Sequence, residues 1–406
     1  MRVSAALAVA AGGAVVATVL LEPLAAALAP APVDPAAYFS PEQLARAEAF
    51  RGPQRALALA GTVLSGGVLA LLALRPPPAV RRLLEAGAAR PLVGAAVAGA
   101  GLSALLAVVE LPLAAVAEQR SVAAGLSTQS VVAWLRDVAV GTAFGAGLAG
   151  LGAALGIGLV RRFPRHWWAP GSLAVVLLAV VFLGVGPVVL DPVFNRFTPL
   201  PAGPLRSEVV ELADRAGVRV GEVYCVDASR RTSGANAYVG GLGPTKRVVL
   251  YDTLVEDFPA AQIRSVVAHE LSHQRNVDLW RGLLWLAIVA PGGMFLVQTL
   301  TEALHRRPEG SRAAPALVPA LALAVALTSF GLSAASNVLS RRVEARADAF
   351  ALDLTHDPRS FVALQQRLAV SNLSDPDPPA WFQVVFGTHP SARARIGAGV
   401  SYETRR

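Results

Sequence analysis

Seven long apolar stretches constrain this 406-residue chain more than any other feature of its sequence. Each is long enough, or nearly so, for a helix to cross the roughly 30 Å hydrocarbon layer of a bilayer. They are Val3–Leu28, Ala56–Leu74, Leu92–Val116, Val138–Val160, Leu173–Leu190, Leu283–Leu300 and Pro315–Leu339. With 54% hydrophobic and only 16% charged residues, the composition is also too apolar for an ordinary soluble domain. The sequence therefore predicts a mostly α, polytopic membrane helix bundle of about seven helices.

The first apolar stretch has two possible fates. Residues Ala25–Ala29 offer the small side chains that a signal peptidase accepts at its cleavage site. However, the apolar run is longer than a usual signal core, and only Arg2 precedes it. We therefore favour a retained membrane helix over a cleaved signal.

The charge balance excludes some classes of partner. The formal net charge is +8, but the arginines cluster at the ends of apolar segments, and no basic-aromatic pattern for nucleic acid occurs. Nucleic acid is therefore not an expected partner. Because Cys225 is the only cysteine, intrachain disulfides and cysteine-based zinc clusters are also excluded.

One polar segment carries the strongest chemical motif. Val267–His273 contains His269, Glu270 and His273, so on a helix the two imidazoles lie one turn apart on one face. This spacing predicts half of a zinc site, and a catalytic zinc ion takes three protein ligands and keeps one position for water. An ordinary amphipathic helix is the alternative, because apolar residues at helical spacing also run through this segment.

Topology narrows the choice of a third metal ligand. Two membrane crossings return the chain to the side it left, so residues after the seventh stretch can meet residues before the sixth. Glu344 and Asp348 follow the seventh stretch and lie one helical turn apart. One can bind the metal while the other orients a histidine. Three other acidic residues on the same side stay open as alternatives: Asp252, Glu256 and Asp278.

The order of these motifs resembles the type I CAAX prenyl protease family, whose members are multi-pass membrane zinc metalloproteases. The resemblance spans roughly residues 187 to 396. Besides the two histidines and their glutamate, it rests on Leu190–Phe197, Asn236–Val239, Val248–Leu254, Glu344–Asp348, His389–Pro390 and Arg395–Ile396. It implies seven helices around a water-filled chamber, with the zinc site near one membrane face.

The resemblance also implies roles at the metal. One zinc ion per chain is expected to bind His269, His273 and Glu344. Glu270 is the expected general base, because a carboxylate beside the metal can take a proton from the attacking water. Asp348 is expected to hold a ligand histidine from behind.

The remaining implied roles concern the substrate. His389 and Arg395 are expected to stabilise the oxyanion or hold the substrate carbonyl. The pattern of residues 235–251, two strand-like segments around a glycine-rich turn, predicts a β-hairpin. In the family, its first strand is the edge to which substrate adds as another strand, which makes Asn236, Ala237 and Tyr238 expected substrate contacts.

The predicted organisation has four parts. Residues 1–190 form an N-terminal membrane region of five helices, and residues 282–340 form a two-helix membrane hairpin. Residues 191–281, with the histidine motif, and residues 341–406, with Glu344, together form a small α+β zinc metallopeptidase domain built from two segments.

The sequence favours a membrane zinc endopeptidase that acts on a peptide or protein substrate and contacts membrane lipid. The resemblance implies a prenylated tail as substrate. A quality-control metalloprotease that cuts misfolded proteins would share the chemistry. A nonenzymatic membrane scaffold or transporter with a structural metal site is the alternative of another class. Glu270 argues against it, because a structural site needs ligands but no general base.

Two indications disagree about the side that the zinc domain faces. The resembling family usually presents this domain to the cytoplasm. With seven crossings, however, ten arginines lie in the even-numbered loops and five in the odd-numbered loops. Short-loop charge bias would then place the even loops inside and the zinc domain outside. By resemblance we lean to the cytoplasmic side.

Overall fold

A computed structural model describes residues 2–23, 28–186, 189, 191–240, 247–305 and 315–405. Its helices are α1 (Arg2–Leu20), α2 (Pro41–Leu74), α3 (Pro78–Ala86), α4 (Pro91–Ala123), α5 (Val131–Arg162), α6 (Trp168–Val185), α7 (Asp191–Phe194), α8 (Pro204–Arg215), α9 (Asp252–Asp257), α10 (Ala260–Arg275), α11 (Asp278–Leu304), α12 (Val318–Thr355), α13 (Pro358–Ser371), α14 (Ala380–Phe386) and α15 (Ala392–Thr404). Its strands are β1 (Phe197–Pro199), β2 (Glu222–Val226), β3 (Ala237–Gly240) and β4 (Arg247–Tyr251). The expectation of a mostly α chain with a small α+β part is confirmed.

Seven helices of the described part are long and apolar enough to cross a membrane: α1, α2, α4, α5, α6, α11 and the segment containing α12. Each overlaps one of the seven predicted stretches, although α1 ends at Leu20 and α6 at Val185, before the predicted ends at Leu28 and Leu190. Several extend beyond the apolar residues because capping residues set their ends. Ser40 starts α2, since its hydroxyl accepts from the Gln43 amide at 3.2 Å while the Gln43 side chain accepts from the Ser40 amide at 3.0 Å.

Small residues allow the membrane helices to approach closely. On α4, a Cβ added at Gly99 would lie 2.5 Å from the carbonyl oxygen of Ala149 on α5. On α11, a Cβ added at Gly292 would lie 3.0 Å from the Cα of Ala10 on α1. Since lipid tails offer no hydrophobic driving force between helices, backbone approach of this kind stabilises the bundle through van der Waals contact.

The last apolar stretch continues well beyond its predicted end. α12 has 38 residues, which is about 57 Å at 1.5 Å per residue and far more than the roughly 30 Å of a hydrocarbon layer. One helix therefore carries both a membrane crossing and the acidic residues Glu344 and Asp348. The domain boundary that the sequence predicts after residue 340 falls inside this helix.

The four-stranded sheet has the order β1-β2-β4-β3. β2 and β4 are parallel, while β1 and β3 pair antiparallel at the two edges. The predicted hairpin is confirmed as β3 and β4, with Ala237 opposite Leu250. β3 is therefore an edge strand with one side open in the described part of the chain.

Both polar segments contribute to one hydrophobic core. Val267 and Leu271 of α10 pack with Leu352 of α12 and with Phe361 and Leu364 of α13, and all five side chains are at most 1% exposed. α10 thus lies between the sheet and the extension of α12. This packing brings the two segments together without a contiguous sequence.

Some predictions concern residues outside the described ranges. These are the small residues 25–27 of the possible cleavage site, the hairpin turn at residues 241–244, and the arginines of the sixth loop.

Candidate functional site

The core packing of α10 fixes the direction of its two histidines. Ile263, Val267 and Leu271 recur every four residues and are buried against the sheet and α12. His269 and His273 share the same spacing on the neighbouring face, so both imidazoles point toward α12. His269 is buried at 4% exposure, and His273 is partly buried.

Glu344 of α12 meets both imidazoles. Its Oε2 lies 3.1 Å from Nε2 of His269, and its Oε1 lies 3.6 Å from Nε2 of His273. The two Nε2 atoms are 3.3 Å apart. In the described part of the chain, these three residues offer ligand atoms that all lie within 4.8 Å of one another. The structure thus brings together the three residues predicted to bind metal.

The donor set and its spacing fit a tetrahedral metal ion such as zinc. Two nitrogens each about 2.0–2.1 Å from zinc at a tetrahedral angle are about 3.3 Å apart, which matches the separation of the imidazoles. Two histidines and a glutamate form one of the ligand sets of catalytic zinc sites, which keep an open position for water.

Each imidazole is held from behind by a carboxylate. Asp348 Oδ1 lies 2.9 Å from Nδ1 of His269, and Asp278 Oδ2 lies 3.0 Å from Nδ1 of His273. Such contacts fix the ring orientation and leave Nε2 directed at the metal position. Asp348 is found in the position expected of it behind His269.

The sequence does not predict the contact between Asp278 and His273. Asp278 stood among the alternative metal ligands, but it contacts the ring nitrogen of His273 that faces away from Glu344. Val277, in the left-handed conformation with φ 49°, turns the chain between α10 and α11 and brings Asp278 back to His273. The buried Arg346 pairs with Asp278 from α12. The only signal in the sequence is an acid five residues after the second histidine.

The other two acidic alternatives lie elsewhere. Asp252 accepts hydrogen bonds from the amide and hydroxyl of Ser229, at 2.9 and 2.5 Å. Glu256 is exposed on the short helix α9.

Three further predicted residues lie around the metal ligands. Glu270 follows His269 and is partly exposed. His389, between α14 and α15, places Nδ1 2.8 Å from Oε2 of Glu344, and 60% of its side chain is exposed. Arg395 donates from Nε to Asp348 Oδ2 at 2.9 Å. The predicted site residues of three distant segments therefore form one cluster.

Arg341 and Gln383 shape the loop that carries His389. Arg341 on α12 donates to the carbonyl oxygens of Gln383 and Gly387 at 2.8 and 2.6 Å. The Gln383 side chain donates to the carbonyl oxygen of His389 at 2.5 Å. The end of α14 is thus tied to the same helix that carries Glu344.

The charge of Arg395 is matched to that of Asp348. Burial by itself would lower the pKa of Arg395, but the carboxylate of Asp348 outweighs burial and raises that pKa above its ordinary value. The guanidinium therefore stays charged, and it offsets the cost of burying Asp348, which is 2% exposed.

The three expected substrate contacts have different orientations on β3. The Tyr251 amide donates to the carbonyl of Asn236 at 3.0 Å, so the backbone groups of Asn236 face β4. Because successive residues of a strand alternate, Ala237 turns its backbone groups to the open edge. The Tyr238 ring packs on the face of the sheet opposite the Ala237 side chain, with the cluster of Val226 and Val249. Of the three residues, Ala237 presents the open edge.

Comparison with known proteins agrees with this geometry. The model of peptidase family M48 matches residues 199–401, which is half of the chain and includes every residue of the metal cluster. The chain belongs to peptidase family M48.

Relatives of this M48 peptidase extend the match into the membrane region. It is 30% identical to an uncharacterized metalloprotease, YhfN, of Bacillus subtilis, over 89% of this chain and 87% of that protein. It is 28% identical to CAAX prenyl protease 1 of Saccharomyces cerevisiae, over 73% of this chain and 70% of the yeast protein. A crystal structure of S. mikatae Ste24p has the same fold, with a TM-score of 0.61, 24% identity and 74% of each chain covered.

These matches confirm the resemblance to the type I CAAX prenyl proteases. The M48 peptidase is a metalloendopeptidase and an integral multi-pass membrane protein with a metal cofactor and a peptide or protein substrate. This membership favours the enzyme over the nonenzymatic scaffold or transporter.

The pH dependence of metal binding follows from His269. Burial lowers the pKa of this residue, but hydrogen bonds from its ring to Asp348 and Glu344 outweigh burial and raise the pKa of the metal-free form to about 9. That is above the usual value of about 6.5 in an unfolded chain. The bound proton therefore stabilises the metal-free fold fully below pH about 6.5, and this contribution is lost as pH rises through about 9.

We expect the apparent affinity for Zn²⁺ to rise about tenfold per pH unit between pH 7 and 9, because a zinc ion bound by His269 would displace this proton. Competition with a chromophoric chelator at several pH values measures it. Thermal unfolding of the metal-free M48 peptidase should show the opposite trend, with a midpoint that falls over the same pH range. An affinity independent of pH would contradict the assignment.

Proposed function

We propose that this chain is a zinc-dependent endopeptidase that binds one zinc ion through His269, His273 and Glu344. The observation that carries the proposal is the convergence of two Nε2 atoms and the Glu344 carboxylate, with Glu270 beside the first ligand. A structural zinc site would fill all four positions with protein ligands. The described residues offer three at this cluster, which favours a catalytic site.

Glu270 is the proposed general base. When bound, zinc supplies Lewis acidity, which makes a water molecule more acidic and polarises a peptide carbonyl. Glu270 accepts the proton of the attacking water and delivers it to the nitrogen of the leaving amine. Its partial exposure keeps the carboxylate accessible to water, and its place next to His269 keeps it beside the ligands.

His389 is proposed to stabilise the negative charge that develops on the carbonyl oxygen. Its ring is largely exposed yet contacts Glu344, so it borders both the metal ligands and the solvent. Arg395 is proposed to act with it, chiefly by holding Asp348 charged and in place behind His269. Asp348 in turn orients that ligand.

The proposed substrate pairs as an added strand with the open edge of β3. Ala237 offers its carbonyl for this pairing, and its amide joins once Asn236 Oδ1, which accepts from it at 2.9 Å, is displaced. Asn236 is exposed at the start of the strand, where its side chain can contact the substrate. Tyr238, whose ring lies on the same face as the Asn236 side chain, contributes by packing the strand in position. Pairing of this kind recognises an extended backbone, so it reads shape more than sequence.

A prenylated protein C terminus is the proposed substrate. The yeast relative, named CAAX prenyl protease 1, supports it. A cavity of about 850 Å³ between the membrane helices, with a mostly apolar lining, offers surroundings that suit an isoprenoid chain. Cleavage of misfolded membrane proteins is the second candidate, because strand addition accepts many sequences.

We propose that the metal domain faces the cytoplasm, as in the resembling family. The distribution of arginines between the loops points the other way. The metal domain and α3 lie on opposite sides of the membrane, because three membrane helices, α4, α5 and α6, separate them.

Glu270→Gln should retain one zinc ion per chain and lose activity, with kcat reduced about 10²–10⁴-fold, because an amide of the same size cannot accept the proton. Peptide cleavage and metal analysis of the purified protein measure the two quantities. Glu256→Gln is the matched control, since Glu256 is exposed in the same domain. A kcat of Glu270→Gln within twofold of the wild-type value would contradict the mechanism.

A farnesylated C-terminal peptide should be cleaved with at least tenfold higher kcat/KM than its unfarnesylated twin. Burial of each methylene contributes about 0.8 kcal/mol, so two buried groups already suffice. The comparison uses detergent-purified protein with zinc, and Glu270→Gln sets the background. Equal cleavage of the twin, or faster cleavage of an unfolded protein, would favour the quality-control function.

Single-cysteine labelling tests the side of the membrane. In a Cys225→Ser background, Glu403→Cys marks the metal domain and Arg82→Cys marks the opposite side, since both positions are exposed. A membrane-impermeant maleimide added to intact cells should label Arg82→Cys and should label Glu403→Cys only after lysis. The reverse pattern would show that the arginines decide the orientation.

A further inference from the structure

A cavity of about 530 Å³ lies beside the metal cluster. Its walls come from Ala235, two residues before β3, from α10, from α13 and from the segment that carries His389. Val266 lines it and precedes Glu270 by one helical turn, so the cavity borders the face of α10 that carries the proposed base. A side chain next to a cleaved bond can therefore reach it.

The wall of this cavity contains a buried amide without a partner. Gln365 of α13 is 3% exposed, and its Nε2 has no hydrogen-bond partner among the residues that the structure describes. Burial of an unpaired amide is costly, and buried polar groups of native proteins are otherwise nearly always paired. An unpaired amide in the wall of a cavity beside the metal cluster points to a partner that arrives with the substrate.

Charged substrate side chains fit this cavity poorly. Asp375, in its wall, already pairs with Arg55, and both side chains are mostly buried. Arg395 and His389, also in the wall, already pair with Asp348 and Glu344 respectively. A substrate charge would therefore lose its hydration without gaining a free counter-ion among the described lining residues.

The cavity also lies at the end of the open edge of β3. The Ala235 amide donates to Asn372 Oδ1 at 3.0 Å, and Asn372 Nδ2 donates back to the Ala235 carbonyl at 3.2 Å. Asn372 thus occupies the edge at Ala235. Further along, the Ala237 amide donates to Asn236 Oδ1 at 2.9 Å and Gln274 donates to the Val239 carbonyl at 3.1 Å, so a substrate strand pairs at Ala237 by displacing the Asn236 side chain. A strand added at Ala237 ends at Asn372, which also lines the cavity.

We propose that this cavity is a specificity subsite for an uncharged side chain that forms hydrogen bonds, such as that of glutamine, asparagine, serine or threonine. The side-chain amide of Gln365 forms the hydrogen bond with it. The side chain belongs to one substrate residue within two positions of the cleaved bond. The proposal rests on the proposed function, because only a bound substrate brings a side chain to this cavity.

Cleavage of a proteome-derived peptide library, read by mass spectrometry, tests the subsite. The wild type should enrich these four residues at one position near the cleaved bonds. In a matched pair of peptides, glutamine at that position should give about tenfold higher kcat/KM than methionine. Gln365→Met should abolish the difference, since methionine has a similar length but no amide.

Gln262→Met is the matched control. Gln262 is also buried, at 9% exposure, and its Oε1 has no partner in the described part of the chain, but it lies outside the cavity wall. This variant should keep the wild-type preference. Thermal unfolding of both variants should occur at or above the wild-type midpoint, because each loses an unpaired buried group.

Two results would overturn the subsite and leave the peptidase intact. One is metal-dependent cleavage by the wild type without any such preference, which requires no variant. The other is a preference that Gln365→Met leaves unchanged. No metal-dependent cleavage at all would overturn the proposed function and the subsite with it.

Discussion

The structure depends on the contact between α10 and α12, where one buried imidazole meets two carboxylates. His269 contacts Glu344 with one ring nitrogen and Asp348 with the other. Charged groups at this depth are tolerated only when each is paired, so Arg395 completes the set by pairing with Asp348. The hydrophobic core around Val267 and Leu352 brings the two helices together, and the polar pairs then define their register.

The sequence predicts much of this architecture because the decisive signals are local. Apolar length identifies seven membrane helices, and a four-residue spacing places His269 and His273 on one face. Glu344 is a special case, since the return of the chain across the membrane brings it to the histidines from a distance of more than seventy residues. The membrane topology thus predicts this contact, which no local sequence pattern indicates.

The features that the sequence leaves open depend on conformation at single residues. Asp278 reaches His273 only because Val277 adopts a positive φ, which is rare for a β-branched residue and unmarked in the sequence. The same holds for β3, where alternation along the strand turns the backbone groups of Tyr238 toward β4 and those of Ala237 toward the outer edge. The sequence also does not predict the full length of α12, because no residue pattern marks where the apolar part of the helix passes into its charged extension.

Because α12 is one continuous helix, a tilt of its membrane-spanning part also moves Glu344 at the site. Glu344 lies fifteen residues beyond Ser329 in the apolar part of the helix, which is about 22 Å along a single rigid rod. A tilt of about 2.5° about Ser329 would displace the carboxylate by about 1 Å, and a misplacement of this size is enough to slow a reaction about a hundredfold. Membrane helices tilt to match the thickness of the surrounding lipid. A change in lipid thickness that tilts α12 would thus move the Glu344 carboxylate through a lever that the protein itself provides.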